Sequence, residues 1–267
     1  MTTYKELSSL TGRNALITGA SGGLGKVFAD TLGELGANLI LVDLSGTLLE
    51  ELASKLKEKW KVKVDYFEVN LEIEKQRKNL INYVINGLDQ LNILVNNAGF
   101  VGTTELPGWN TTFENQSIES WRRAFEVNLT AVFELSQGLT PIMKNSIGAS
   151  IVNISSVHGL VGPDWRIYSE TNMGNPAAYG ASKGALLQFT RWLSTTLAPS
   201  VRVNAICPGG IFRNQPKSFV AHYEQRTPMA RMANEDDFKG ALGFLASDLS
   251  LYVTGQALIV DGGWSAW

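Results

Sequence analysis

The segment TGASGGLG (18–25) places four glycines between an apolar run, NALIT (14–18), and a stretch with helical periodicity. A strand that ends in glycines and leads into a helix is a typical site for a dinucleotide. Gly19 allows a tight turn, Gly23 lets the backbone approach a diphosphate, and Gly25 lets the helix pack closely on the strand. The helix N-terminus offers N–H groups and the positive end of its dipole to phosphates. The turn therefore predicts dinucleotide binding, with a plain flexible turn as the alternative.

The second apolar run, NLILVD (38–43), strengthens this prediction because it ends in Asp43, 18 residues beyond Gly25. A carboxylate at that point accepts hydrogen bonds from the adenosine ribose hydroxyls and repels the 2′-phosphate of NADP. No arginine or lysine lies within ASGGLG or directly after Asp43 to bind that phosphate. The sequence therefore predicts NAD rather than NADP.

The rest of the chain continues the alternation of strands and helices. Further strands are predicted at 61–69, 91–99 (opening into a turn), 149–156, 201–207 and 256–263. Helices are predicted at 72–88, 120–139, about 176–197 and 235–247. Apolar strands that alternate with helices indicate a doubly wound α/β fold with a parallel sheet covered on both faces. Without an evident linker, residues 1–267 are interpreted as one domain, with a dinucleotide-binding half (about 1–150) and a catalytic half (about 151–267).

Composition narrows the class of protein. The chain has 267 residues, 44% of them hydrophobic, and a net charge of −2 with both signs scattered, which argues against nucleic-acid and membrane partners. The chain shows no signal peptide or long apolar segment, so we expect a cytoplasmic protein. The single cysteine, Cys207, ends an apolar run and is interpreted as a buried structural thiol. His158 and His222 lack the neighbouring ligands of a metal site, so no metal is predicted.

Five motifs together resemble the classical short-chain dehydrogenase/reductase family. They occur in the family's order and spacing: TGASGGLG (18–25), NNAG (96–99), YGASK (179–183), PGG (208–210) and VTGQALIVDGG (253–263). The resemblance implies a single Rossmann-type domain with a seven-stranded parallel sheet, a nicotinamide cofactor and interconversion of alcohols and carbonyls. It also implies a homo-oligomer, with a tetramer favoured and a dimer possible, in which the helices near Asn128 and Tyr179 pair across subunits. Both helices carry more apolar and aromatic residues than one buried stripe needs.

Two tyrosines, Tyr168 and Tyr179, compete for the role of proton-transfer group. Lys183 follows Tyr179 by four residues on a predicted helix, so both side chains lie on one face. An ammonium nearby, like the oxidised nicotinamide ring, favours the phenolate. Tyr168 instead has Asn172 at that offset and Glu170 close by. Tyr179 is therefore predicted to be catalytic, with its pKa lowered by Lys183.

The resemblance assigns the remaining site residues. Ser156 matches the serine that holds the substrate oxygen, with Ser155 as the competing assignment on the opposite face of the strand. Asn128 matches an asparagine that helps to hold a water near the lysine, and Lys183 bonds the nicotinamide ribose. The expected cofactor-binding residues are Gly19, Ser21, Gly23, Leu24, Gly25, Asp43, Leu44, Asn70, Leu71, Asn97, Ala98, Gly99, Tyr179, Lys183, Pro208, Gly209 and Ile211.

Two positions depart from the family pattern. Asn70 replaces a frequent aspartate that contacts adenine, and an amide still accepts and donates hydrogen bonds there. Arg213 replaces a threonine that commonly bonds the carboxamide, which puts that anchor in doubt. An arginine here fits an anionic substrate, or it is a solvated loop residue.

The stretch between Ser156 and Tyr179 is longer than is common in the family, with an excess near residues 164–175. Because it joins the two catalytic elements, we expect it to form an active-site wall that selects the substrate. Its Arg166, Tyr168, Glu170, Thr171 and Asn172 suit a polar substrate.

The favoured substrate is therefore a small molecule such as a sugar, amino sugar, nucleotide sugar or polyol. The insertion and FRNQP (212–216) also resemble a subgroup linked to bacterial amino-sugar and flagellar glycan pathways. The alternatives are 3-oxoacyl or hydroxysteroid reduction, and a non-catalytic dinucleotide-binding regulator.

Overall fold

The computed structural model describes residues 1–46, 48–100 and 106–267. Within these residues, seven parallel strands form one sheet in the order β3-β2-β1-β4-β5-β6-β7. The strands are β1 (Asn14–Thr18), β2 (Asn38–Asp43), β3 (Val64–Glu68), β4 (Ile93–Asn96), β5 (Ser150–Ile154), β6 (Arg202–Pro208) and β7 (Ala257–Val260). The predicted doubly wound sheet and its seven strands are confirmed.

Helices cover both faces of this sheet. They are α1 (Tyr4–Ser8), α2 (Gly23–Glu34), α3 (Leu49–Trp60), α4 (Glu74–Gly87), α5 (Ile118–Phe125), α6 (Ala131–Lys144), α7 (Ala177–Leu197), α8 (Lys217–Gln225) and α9 (Lys239–Ala246). Successive strand residues serve opposite faces: Ile17 packs in the core that contains Phe28 of α2, and Leu16 in the core that contains Leu139 of α6. Both faces of the sheet are therefore buried under helices.

Strand order reverses between β1 and β4, and this places the site. In an open parallel sheet, ligands bind outside the carboxyl ends of the strands at such a switch point. The glycine turn follows β1 and the NNAG segment follows β4, so the fold brings these two motifs together.

Several boundaries differ from the sequence prediction, and three elements show a local cause. The strand predicted at 61–69 begins only at Val64, because α3 continues through Trp60 and Lys61 ends it with a left-handed φ of 57°. The helix predicted at 120–139 starts at Ile118 and contains a π-helical turn, Glu126–Thr130. The helix predicted near 235–247 opens as a 3₁₀ turn, Glu235–Phe238.

α1, α3 and α8 are not among the elements that the sequence predicted. No helix within the described residues has both the length and the apolar character needed to cross a membrane.

Candidate active site

The glycine turn has the close contacts that its sequence predicts. Gly19 has a φ of +64°, and a methyl group there would lie 2.9 Å from the Cα of Ala98. A methyl group on Gly25 would lie 1.9 Å from the carbonyl oxygen of Gly19, so α2 can approach β1 only with glycine at this position. Gly22 precedes the first turn of α2 and contributes no side-chain cap. The N–H groups of that turn are thus available to an anion, as a dinucleotide diphosphate requires.

Asp43 lies at the carboxyl end of β2 and is held against the glycine turn. Its Oδ2 accepts hydrogen bonds from the backbone N–H and the hydroxyl of Ser21, at 2.8 and 2.6 Å. Its Oδ1 accepts from the N–H of Leu44 at 2.8 Å. The carboxylate therefore also orders the turn, a role that the sequence did not reveal.

The NNAG segment is fixed to the end of β1. The amide of Asn97 donates to the carbonyl oxygens of Thr18 and Gly19, both at 3.0 Å. The Thr18 hydroxyl accepts from the backbone N–H groups of Asn97 and Ala98, both at 3.1 Å. These bonds set Ala98 and Gly99 beside the glycine turn.

The remaining predicted cofactor residues lie at the ends of neighbouring strands. Asn70 turns its amide oxygen to the N–H of Glu72 at 3.0 Å, so part of its hydrogen-bonding capacity serves the turn before α4. Leu71 is buried in the core under α4, whereas Leu24 is partly buried against the core beneath α2. Pro208 ends β6, Gly209 follows it, and Ile211 forms a parallel bridge with Ala233.

The two serines at the end of β5 point in opposite directions. The hydroxyl of Ser155 donates to the carbonyl oxygen of Lys183 at 2.9 Å, which ties it to the backbone of α7. Ser156 is 5% exposed, its hydroxyl accepts from the N–H of His158 at 3.2 Å, and it interacts with the phenol of Tyr179 in the direction that lowers the pKa of that phenol. Ser156 therefore has the geometry expected of the serine that holds a substrate oxygen against the phenol.

The expectation that Lys183 lowers the pKa of Tyr179 is wrong for the free protein. Burial raises the pKa of Tyr179, and the hydrogen bond from Ser156 and the charge of Arg213 only partly oppose it. Lys183 is itself buried, which lowers its pKa to about 8. Its Nζ donates to the carbonyl oxygen of Ile154 at 2.7 Å and lies 5.9 Å from the centre of the Tyr179 ring. Burial thus shifts the pKa of each group toward its neutral form.

Asn128 lies in the π-helical turn between α5 and α6 and is fully buried. Its Oδ1 accepts from the N–H of Phe100 at 2.8 Å, and its Nδ2 donates to the hydroxyl of Ser182 at 2.9 Å. A methyl group on Gly99 would lie 3.0 Å from this Oδ1 and 3.4 Å from the Nζ of Lys183. Asn128 therefore connects the NNAG segment to α7 beside the lysine.

Two aromatic residues belong to the site although the sequence assigned them no role. The ring of His158 lies edge-on to Tyr179, with 6.5 Å between centroids, and 5.9 Å from the ring of Trp264. Burial lowers the pKa of His158 to about 4, so this ring is neutral at physiological pH. The position of His158, two residues after Ser156, was the available sequence signal. Nothing local indicated Trp264, because its contact is made across the fold.

Residues of the insertion either pack against α8 or hydrogen-bond within the insertion itself. Tyr168 packs against Phe219 of α8, with 5.5 Å between ring centroids, and its phenol is close enough to Tyr179 for their charges to interact. Arg166 is paired with Asp164 at 2.8 Å, and the hydroxyl of Thr171 donates to the carbonyl oxygen of Tyr168 at 2.7 Å. Two of the polar groups expected to face a substrate are thus bonded within the insertion.

A cavity of about 830 Å³ opens between the insertion, residues 110–116 and the start of α7. Thr171, Asn172 and His158 line it, whereas the described lining residues do not include Ser156 or Tyr179. His158 therefore lines this cavity and also contacts the ring of Tyr179.

Cys207 has the structural role expected of it. It is fully buried, and burial raises the pKa of its thiol to about 11. A thiol in this state does not react as a nucleophile at neutral pH.

The geometry as a whole fits a nicotinamide dinucleotide and an alcohol or ketone. The uncapped helix, the close glycine turn and Asp43 match the diphosphate and ribose of such a cofactor. The phenol of Tyr179 and the hydroxyl of Ser156 can hold one substrate oxygen and exchange a proton with it.

Comparisons with known proteins agree with this geometry. The family model described as Enoyl-(Acyl carrier protein) reductase matches residues 19–265. The 3-oxoacyl-(acyl-carrier-protein) reductase FabG of Aquifex aeolicus is 31% identical over 259 residues, covering 95% of this chain and 98% of the relative. The 5-keto-D-gluconate 5-reductase of Escherichia coli is 31% identical over 265 residues, covering 97% of each chain.

A solved structure extends the likeness to three dimensions. The gluconate 5-dehydrogenase of Burkholderia cenocepacia, in complex with NADP and tartrate, has a TM-score of 0.84 and 27% identity, covering 99% of this chain and 100% of that chain. Sequence motifs, strand order and site geometry therefore agree, and this chain belongs to the classical short-chain dehydrogenase/reductase family of oxidoreductases.

Proposed function

We propose that this protein is an NAD-dependent oxidoreductase that interconverts a secondary alcohol and a ketone on a polar small molecule. The observation that carries the proposal is that Ser156 adjoins Tyr179, with Lys183 on the same face of α7, at the carboxyl ends of the strands where the glycine turn also lies. These groups match the needs of hydride transfer, in which one oxygen must be held while it gains or loses a proton.

Each residue has a distinct part in this reaction. Ser156 donates to or accepts from the substrate oxygen and holds it against Tyr179. The raised pKa of Tyr179 keeps its proton on the phenol at neutral pH in the free protein, the state in which it can protonate a ketone oxygen during reduction. The Nζ of Lys183 donates to the carbonyl oxygen of Ile154, and its other N–H groups can hydrogen-bond the nicotinamide ribose. The cofactor, when bound, supplies or accepts the hydride.

A polar substrate is favoured by polar groups of the insertion. The amide of Asn175 donates to the phenolic oxygen of Tyr168 at 3.4 Å, and Thr171 and Asn172 line the adjoining cavity. The relative that acts on 5-keto-D-gluconate supports an aldonate or related sugar acid. The relative that acts on 3-oxoacyl groups supports the alternative of 3-oxoacyl reduction. The narrower assignment to amino-sugar or flagellar glycan pathways stays a prediction.

A substrate panel tests this function. Purified protein would be assayed by NADH absorbance with keto-aldonates, aldonates, polyols, nucleotide sugars, a 3-oxoacyl thioester and a hydroxysteroid. The highest kcat/KM on a sugar-type substrate is the expected result, and the highest value on the thioester or steroid would contradict it. Tight binding of NADH without turnover of any compound would favour the non-catalytic alternative.

The preference for NAD is proposed from Asp43 and has its own test. Wild-type protein is expected to show a higher kcat/KM with NAD than with NADP, because the carboxylate repels a 2′-phosphate. Asp43→Asn keeps an acceptor for Ser21 while it removes the charge, so the preference should fall by about tenfold or more. Asp43→Asn combined with Leu44→Arg should lower it further, because a guanidinium binds phosphate.

Steady-state kinetics with both cofactors measures this ratio. Asp43→Ala is the comparison that shows how much is due to the loss of the Ser21 hydrogen bonds. Equal use of both cofactors by the wild type would contradict the role given to Asp43.

We also propose that the protein is a homo-oligomer, with a tetramer favoured, formed through the aromatic face of α5, α6 and α7. Phe133 and Trp192 are 45% and 57% exposed, and both lie against Phe189. Burial of such a face in a symmetric contact removes apolar surface from water. Light scattering should show a species larger than a monomer at micromolar concentration, and Phe133→Glu with Trp192→Glu should reduce its mass. Tyr4→Glu, an exposed aromatic outside this face, is the control, and a monomeric wild type would contradict the proposal.

A further inference from the structure

The ion pair between Arg213 and Glu235 lies directly over the glycine turn. The Nε of Arg213 is 3.2 Å from the Oε1 of Glu235. A methyl group on Gly23 would lie 2.7 Å from the Nη2 of Arg213 and 2.8 Å from that same Oε1. A cation and an anion therefore both touch the residue that begins α2, where a bound diphosphate would meet the helix N-terminus.

Backbone pairing fixes both side chains over the turn. Ile211 and Ala233 form a parallel bridge, and the N–H of Phe212 donates to the carbonyl oxygen of Ala233 at 2.8 Å. Arg213 and Glu235 each lie two residues beyond this bridge, so the two residues lie opposite each other. Their position is thus set by the backbone of two distant segments.

Each segment is anchored a second time. The N–H of Arg213 donates to the Oε1 of Gln215 at 2.7 Å, and the Nε2 of Gln215 donates to the carbonyl oxygen of Ile211 at 2.7 Å. Glu235 opens a 3₁₀ turn whose Phe238 is fully buried in the core beneath α2. Neither side chain is therefore a freely moving loop residue.

The pair can exchange partners at small cost. The side chains of Arg213 and Glu235 are 45% and 29% exposed, and ion pairs this accessible to water contribute little stability. A diphosphate offers the guanidinium two charges and several acceptor oxygens in one group, which makes it a stronger partner than one carboxylate. The carboxylate of Glu235, in contrast, would repel a diphosphate at the same place.

We propose that Arg213 binds the diphosphate of the dinucleotide and that Glu235 is its internal competitor in the free protein. The pair, here called the strap, lies across the glycine turn. When the dinucleotide enters, the Arg213 side chain leaves Glu235 and closes over the diphosphate. The inference rests on the proposed function, since it requires a dinucleotide in this groove.

Opposite effects of the two substitutions test the strap. Dissociation constants would be measured by fluorescence titration for NADH and by calorimetry for ADP-ribose, which keeps the diphosphate but lacks nicotinamide. Arg213→Gln should raise both constants about tenfold or more, the scale of a charge-assisted hydrogen bond. Glu235→Gln should lower both, because it removes the competitor and the repulsion. Arg213→Lys should recover part of the lost affinity.

Arg231→Gln is the matched control, because Arg231 is 46% exposed and is paired with Asp237 at 2.7 Å in a neighbouring contact. Its dissociation constants should match those of the wild type. Unchanged binding in Arg213→Gln, or weaker binding in Glu235→Gln, would overturn the strap. Unchanged ADP-ribose binding with a raised KM for an anionic substrate would instead assign Arg213 to the substrate. Failure of the wild-type protein to bind either NADH or ADP-ribose would contradict the proposed function itself.

Discussion

Replacement of Tyr179 by phenylalanine is expected to lower kcat by at least about 10²-fold, the scale of lost general acid–base catalysis. The substitution removes the hydroxyl next to Ser156 and leaves the ring against His158, so the site should keep its shape. Binding of NADH should stay near that of the wild type. Steady-state kinetics and fluorescence titration on the same preparation separate these two quantities.

Tyr168→Phe is the matched control. Both are half-buried tyrosines whose pKa values are raised by burial; Tyr168 lies between β5 and α7, and Tyr179 lies in the first turn of α7. The hydroxyl of Tyr168 is bonded to Asn175 rather than to Ser156, so its removal should leave a much larger kcat. Loss of turnover in Tyr168→Phe together with retention in Tyr179→Phe would reverse our assignment of the catalytic residue.

Lys183→Met is expected to lower kcat/KM by at least about 10²-fold. It is also expected to make the free energy of unfolding less dependent on pH in the alkaline range. The ammonium of Lys183 is buried, and its Nζ donates to the carbonyl oxygen of Ile154. Methionine has a similar length and no charge. The variant should therefore fold, and should lose the polar contact to the cofactor ribose that the family resemblance implies.

The sign of the pH effect follows from the lowered pKa. Unfolding returns the pKa of Lys183 from about 8 to 10.5, so the unfolded state binds more protons between these values. Charged Lys183 thus destabilises the wild type below pH 8, and this penalty disappears as the pH rises to 10.5. Between pH 8 and pH 10.5 the free energy of unfolding of the wild type should therefore rise relative to that of Lys183→Met. The rise should be roughly 3 kcal/mol at most, since one pKa unit corresponds to about 1.4 kcal/mol.

Urea unfolding of both proteins at pH 7 and pH 10 measures this difference. Lys75→Met, on the exposed side of α4, is the control and should show little difference between the two pH values. The same difference in free energy of unfolding between wild type and Lys183→Met at both pH values would show that the buried ammonium does not destabilise the protein.

The first two strands could be predicted from sequence to the residue. NALIT (14–18) and NLILVD (38–43) coincide with β1 and β2, because buried parallel strands are short apolar runs bounded by polar residues or glycine. The strand predicted at 61–69 was too long, because β3 lies at the sheet edge and α3 continues into the run. Periodicity reports burial, so it is weakest for an element that is only half buried.

The chemistry of the site divides in the same way. The sequence by itself determined the glycine turn, the carboxylate after β2 and the spacing of Tyr179 and Lys183 on one helix face, since each depends on residues close in the chain. The direction of the Tyr179 pKa depended on burial by the whole fold, and the sequence prediction of its direction was wrong for the free protein. The placement of Arg213 over Gly23 and of His158 between Tyr179 and Trp264 likewise depended on tertiary structure. Desolvation and contacts between distant segments arise from three-dimensional packing, which local spacing does not encode.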